Sequence, residues 1–118
     1  MGLIQENPVA LPQNPLEYIF LLIVFGPILE EFIYRGIIQE RLSWYFSERA
    51  AILFTSFLFA LIHWTPGDIT VFVGASVFRF IRSCFYGVIY AKTRNIVHSS
   101  VAHSAVNLYG PILTILFP

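Results

Sequence analysis

Charge is the scarcest commodity in this chain. Only 12% of its residues are Asp, Glu, Lys or Arg, against about 25% in a soluble globular domain. Its net charge is zero, and no basic stripe interleaved with aromatics runs along it, which argues against nucleic acid as a partner. A single cysteine, Cys84, excludes an internal disulfide and is read as a small packing residue rather than a nucleophile. Residues 1–15 lack a basic n-region and carry Glu6, Pro8, Pro12 and Pro15, so they read as an extramembrane lead-in and not as a secretory signal. No internal repeat or low-complexity tract is visible.

What is abundant is apolar surface. Hydrophobic residues make up 57% of the chain and aromatics 17%, and the mean hydropathy is +0.71. The few charges cluster, leaving several apolar segments of about the 20 residues that cross a bilayer. The expectation is an all-α, polytopic membrane bundle of about four transmembrane helices. Residues 16–118 form one core domain, in a multi-pass protein of a bacterial plasma membrane or an organelle membrane.

Segment one spans about Leu16–Leu42, with Gly26-Pro27 expected to kink it. Segment two spans about Ser47–Trp64 and closes on the turn signal Thr65-Pro-Gly-Asp68. Segment three lies between about Ile69 and Tyr90. Arg79 and Arg82 interrupt it, so either they line the bundle or the helix proper begins near Ser76. Segment four runs from about Ile96 to Phe117, with Pro111 as a possible break. Lys and Arg in the loops after segments one and three place those loops on the cytoplasmic side.

Three polar motifs stand inside the apolar segments. The first is Glu30-Glu31-x-x-x-Arg35. Residues four apart share a helix face, so Glu31 and Arg35 are expected to pair. Glu30 is turned about 100° away, and its i+3 and i+4 neighbours are Ile33 and Tyr34. It is left as the free carboxylate in an apolar setting, the situation of a general base. The second motif is Phe59-Ala-Leu-Ile-His63. The third is His103-Ser-Ala-Val-Asn107, whose spacing puts imidazole and carboxamide on one face. Singly, each has a bland reading: a helix ending at the membrane surface, an interfacial histidine, a pair of interhelical hydrogen bonds. Together they supply a carboxylate, two imidazoles and an amide, the parts for activating water and stabilising an oxyanion. Ser104 lacks the local elbow of a serine nucleophile.

In order and spacing these motifs resemble the CPBP family of intramembrane endopeptidases. That family includes CAAX prenyl proteases of the Rce1 type, bacteriocin-processing and immunity proteins, and Abi proteins. Tyr34 before the arginine and Gly36 after it also look like the family, and the resemblance spans about residues 16–110. It implies a glutamate protease working inside the membrane. Glu30 and His63 would activate a water, His103 and Asn107 would form the oxyanion hole, and Glu31 and Arg35 would support the site. It implies a peptide or protein substrate in the bilayer and, in so short a chain, a homodimer as one way to cover exposed faces. Zinc on Glu30, His63 and His103 is the less favoured alternative, because the His-Glu-x-x-His helix of a zincin is absent; no cofactor is expected. Two rival readings use the same cavity: an immunity or partner-sequestering protein without catalysis, and a proton or ion pathway through Glu30, Arg79, Arg82 and the histidines.

Overall fold

The computed structural model describes residues 14–63 and 67–117, and within them the chain is helical with no strand. Most of the 1–15 lead-in, and Trp64, Thr65 and Pro66 of the turn signal, lie outside the described residues. Four helices follow in order. Helix α1 covers 15–43 and is built of successive α and π pieces. Helix α2 is Glu48–Ile62, α3 is Ile69–Thr93 and α4 is Ile96–Leu116.

Each start is written in the sequence. Asn14, Ser47, Asp68 and Asn95 are the four N-caps, each accepting a backbone N–H of the first turn, which satisfies a donor that a helix start otherwise leaves orphaned. Helix α3 is continuous from Ile69, so the stretch before Ser76 is not a separate interfacial piece. Helix α4 likewise continues past Pro111 to Leu116. Between α3 and α4, Arg94 takes a left-handed backbone (φ 52), the conformation that commonly ends a helix. Its guanidinium then bridges Glu40 at 2.8 Å and Glu48 at 3.0 Å, while the Tyr90 hydroxyl donates to Glu40 at 2.8 Å.

The burial pattern is inverted relative to a water-soluble protein. Phe20, Phe25, Phe54, Phe57, Phe78 and Phe85 are exposed, whereas Glu31, Arg35, Gln39, Thr55, Ser56, Ser83 and Ser99 are fully buried. Helix α3 is long and apolar enough to cross a bilayer, with a mean hydropathy of 1.4; at about 1.5 Å per residue it exceeds a hydrocarbon core of about 30 Å. Among the described helices it alone meets that description. Helix α2 is shorter, at 15 residues, and α1 carries the Glu30, Glu31 and Arg35 charges in its middle.

A polar ladder fixes α1 against α3. Arg35 Nη2 donates to the Ser83 carbonyl at 2.6 Å and to its hydroxyl at 2.7 Å. One turn on, Gln39 Nε2 donates to the Gly87 carbonyl at 3.0 Å. The last rung is the Tyr90–Glu40 bond. Helix α2 packs along α3 and the Phe32–Gln39 stretch, and α4 lies against α3 and the first half of α1.

Gly87 is what lets the ladder close. A Cβ there would stand 2.8 Å from Gln39 Oε1 and 3.1 Å from Ile52 Cγ2. Gly87→Ala should therefore destabilise by about 1–3 kcal/mol, as overpacking does, read as a lowered melting temperature in detergent. The control is Gly74→Ala, where nothing lies within 4 Å; it should be neutral or stabilising by about 0.5–1 kcal/mol. At the polar end of the bundle, the Tyr90 hydroxyl with Arg94 holds the Glu40 carboxyl below its ordinary value of 4.5. A carboxylate held low in the fold stabilises above its unfolded pKa, and that contribution is lost as pH falls through the folded one. Acidification below about pH 4.5 should lower the melting temperature, and Glu40→Gln should reduce that acid sensitivity while lowering stability at neutral pH.

Candidate active site

Helix α1 brings the carboxylates to the bundle centre through an irregular backbone. Its Phe20–Phe25 stretch is π-helical, and the Gly26 N–H reaches back to the Leu21 carbonyl. The next such bond would join Pro27 to Leu22, but proline has no N–H. Asn107 Nδ2 on α4 fills the gap, donating to the Leu22 carbonyl at 3.1 Å. The widened turn also relieves the clash that a proline ring makes with the carbonyl four residues earlier, here that of Ile23. Single π turns inside helices recur at functional sites, and a second π stretch, Phe32–Gln39, follows Glu31.

Beyond that point the two glutamates part company. Glu31 and Arg35 are fully buried and paired, with Nε to Oε2 at 3.5 Å. Arg35 also holds Ser83, as described above. Glu30 turns into a cleft between α2 and α4. Its Oε1 lies 3.6 Å from His63 Nε2 and its Oε2 lies 3.5 Å from His103 Nε2. Both separations are longer than an ideal hydrogen bond and are those of ion pairs when the rings are protonated. Side chains of Glu30 and His63 are about one-third exposed, whereas His103 is buried. The cluster is thus buried at its His103 end and accessible at its Glu30–His63 end.

Each histidine is oriented differently. His63 is the C-cap of α2, and its Nδ1 lies 2.7 Å from the Phe59 carbonyl. A carbonyl can only accept, so Nδ1 carries a proton; Nε2 faces Glu30, as a donor when the ring is protonated and as a lone pair when it is neutral. Arg79 Nη1 donates to the His63 carbonyl at 2.8 Å, anchoring the end of α2 to α3. His103 is held by stacking: the Tyr86 ring lies 4.6 Å away at 16°. Phe59 fills the space between the histidines, 4.2 Å from the His63 ring and 6.2 Å from that of His103, with Tyr34 edge-on at 4.9 Å.

The fold therefore brings Glu30, His63 and His103 to one point and sets Glu31 and Arg35 behind it. Asn107 flanks them with one of its two N–H groups committed to α1. Tyr86, Ser83 and Gln39 are contributors that motif reading missed. Their signal was present: Arg79, Arg82, Ser83, Tyr86 and Tyr90 recur at helical spacing in an apolar segment, a polar stripe rather than a mere interruption. Among the described residues, no three His, Cys, Asp or Glu side chains are arranged to hold a metal ion.

Residues 12–109 match the family described as type II CAAX prenyl endopeptidase Rce1-like. The UPF0177 protein YxdF of Lactococcus lactis subsp. lactis (strain IL1403) is 33% identical over 91 residues, covering 77% of this chain and 46% of the relative. The chain thus spans about half the length of that curated relative. No solved structure matches it.

If Asn107 is there to satisfy Leu22, its loss should hurt only while Pro27 is present. Asn107→Ala should cost about 0.5–1.5 kcal/mol, the net worth of one hydrogen bond. In a Pro27→Ala background, where residue 27 regains an N–H, the same change should cost less. A double-mutant cycle on melting temperatures measures the difference, and additivity would remove the assigned link.

Proposed function

The chain belongs to the type II CAAX prenyl endopeptidase Rce1-like family, and from that premise we propose that it is an intramembrane endopeptidase that hydrolyses a peptide bond with a water activated by Glu30 and His63. The observation that carries this reading is the convergence of Glu30 with His63 and His103 from three helices, in a cleft open on one side.

In this mechanism the water gives its proton to Glu30 as its oxygen attacks the carbonyl carbon. His63, with Nδ1 anchored to Phe59, keeps its Nε2 lone pair on the same water and holds the nucleophile in line. His103, with Asn107 beside it, faces the oxygen on which negative charge develops. Glu30 then returns the proton to the departing amine, the acid role complementing its role as base. Glu31 and Arg35 do not touch the substrate. Their pairing holds the helix that carries Glu30.

The inverted burial supports a bilayer environment, since exposed phenylalanines around a polar interior suit lipid and would aggregate in water. We place all four helices in the membrane as a multi-pass bundle. The substrate is a peptide or protein segment in or at the bilayer, of the prenylated or bacteriocin kind, and the step needs no metal.

Matched expression of wild type, Glu30→Gln and Glu31→Gln in the native host lacking the gene, followed by mass-spectrometric mapping of peptide ends in membranes, tests the proposal. New ends should appear with wild type only. Glu30→Gln should accumulate normally and lose at least about 10²-fold in cleavage. Glu31→Gln should instead accumulate poorly, because Arg35 would be left as an uncompensated buried charge costing about 3–5 kcal/mol. Cleavage should survive a zinc chelator. A phenotype that persists in Glu30→Gln without new ends would make the protein a partner-binding one instead.

A further inference from the structure

Helix α3 turns a stripe of four polar residues toward the site: Arg79, Arg82, Ser83 and Tyr86, at the three- and four-residue spacing of one face. Three of them have visible work. Arg79 holds the His63 carbonyl at 2.8 Å, Ser83 receives Arg35, and Tyr86 stacks on His103. Arg82 sits between them, close to the Tyr86 hydroxyl. It is half-buried, and it forms no ion pair among the described residues, whose ion pairs engage Arg35 and Arg94 but not Arg82. Its Nε is buried without a hydrogen-bond partner. Its guanidinium rests 5.1 Å from the Phe78 ring centroid. An arginine set within an apolar segment without a carboxylate partner is costly and marks function.

We propose that Arg82 is a further catalytic residue of this site, donating to the oxyanion that forms on the scissile carbonyl. The inference rests on the hydrolytic reading above. When the water oxygen bonds to the carbonyl carbon, the carbonyl π pair moves onto oxygen and the water proton moves to Glu30. Negative charge thereby leaves the carboxylate and appears on the substrate oxygen. A fixed cation on the same face of α3 as Tyr86, whose ring stacks on His103, serves the developing charge with no reorganisation during the step. On collapse the pair returns, the C–N bond breaks, and the amine leaves with the proton from Glu30. The commitment of Asn107 to Leu22 makes a second donor on this side of the cleft more important. Arginine suits the task because its guanidinium keeps its proton at any working pH.

The test uses the full chain in detergent or nanodiscs and a synthetic peptide spanning a Glu30-dependent cleavage found by the terminus mapping. The peptide is made with a free C-terminal carboxylate and, separately, as the amide. Arg82→Gln should lower kcat by about 10²–10³-fold, as removal of an oxyanion donor does, with KM changed by no more than a few-fold and both peptides affected alike. Arg82→Lys should recover part of the loss. Arg82→Met, similar in length and without an unpaired polar group, is read where Arg82→Gln does not accumulate, and it should show the same kcat loss. Unchanged kcat in a folded variant overturns the proposal. So does a rise in KM confined to the free-carboxylate peptide, which would make Arg82 a clamp for the substrate terminus. Absence of any Glu30-dependent cleavage overturns the hydrolytic reading itself, and Arg82's role with it, whereas Glu30-dependent cleavage indifferent to Arg82 overturns the latter alone.

Discussion

The buried Arg35 is the constraint from which most of this structure follows. A guanidinium with no access to solvent must find its charge partner and its acceptors inside the protein. Glu31, one turn earlier on the same helix, supplies the charge, and Ser83 on α3 supplies a carbonyl and a hydroxyl. Those contacts set both the rotation of α1 and its axial register against α3. The register then places Gln39 on Gly87 and Glu40 on Tyr90, about a turn apart each time along α3. Because neighbouring residues on a helix point about 100° apart, fixing Glu31 inward toward Arg35 swings Glu30 into the cleft. The free carboxylate is thus positioned by the pairing of its neighbour.

The backbone irregularity of α1 belongs to the same arrangement. Pro27 removes one donor and would crowd the preceding turn, and the π stretch that accommodates it leaves the Leu22 carbonyl without a helical partner. Asn107 repairs this from α4 and in doing so ties α4 to α1 beside His103. A residue that the family resemblance associates with an oxyanion hole therefore has a structural bond as well. Polar groups within an apolar bundle have few partners to choose from, so each tends to hold two elements together while it faces the site. Arg79 and Tyr86 follow the same logic, fixing His63 through its carbonyl and His103 through its ring.

The polar interior and apolar exterior make the membrane reading and the site reading a single argument. In water, burying Glu31, Arg35, Gln39 and several hydroxyls while exposing many phenylalanines would oppose the hydrophobic effect. In lipid the polar residues have nowhere else to go. Helix association there depends on close packing and interhelical hydrogen bonds, which is what Gly87, Ser83 and Gln39 provide.

Much of this was legible in the linear chain because its signals are local. Low charge and long apolar stretches give an all-helical bundle, and Asn14, Ser47, Asp68 and Asn95 mark where helices begin, since capping is a matter of the first turn. A four-residue spacing ties Glu31 to Arg35 and leaves Glu30 without a partner on its own helix. Other features were decided only in three dimensions, because they join residues on different helices, up to 85 positions apart, or depend on backbone shape. The continuity of α3 through Arg79 and Arg82, the bond from Asn107 to Leu22, the stacking of Tyr86 on His103 and the need for glycine at 87 are of this kind. Helical periodicity assigns each side chain a face. Which face meets which is set by the packing of buried charges that must be satisfied all at once, and no spacing within one segment encodes that.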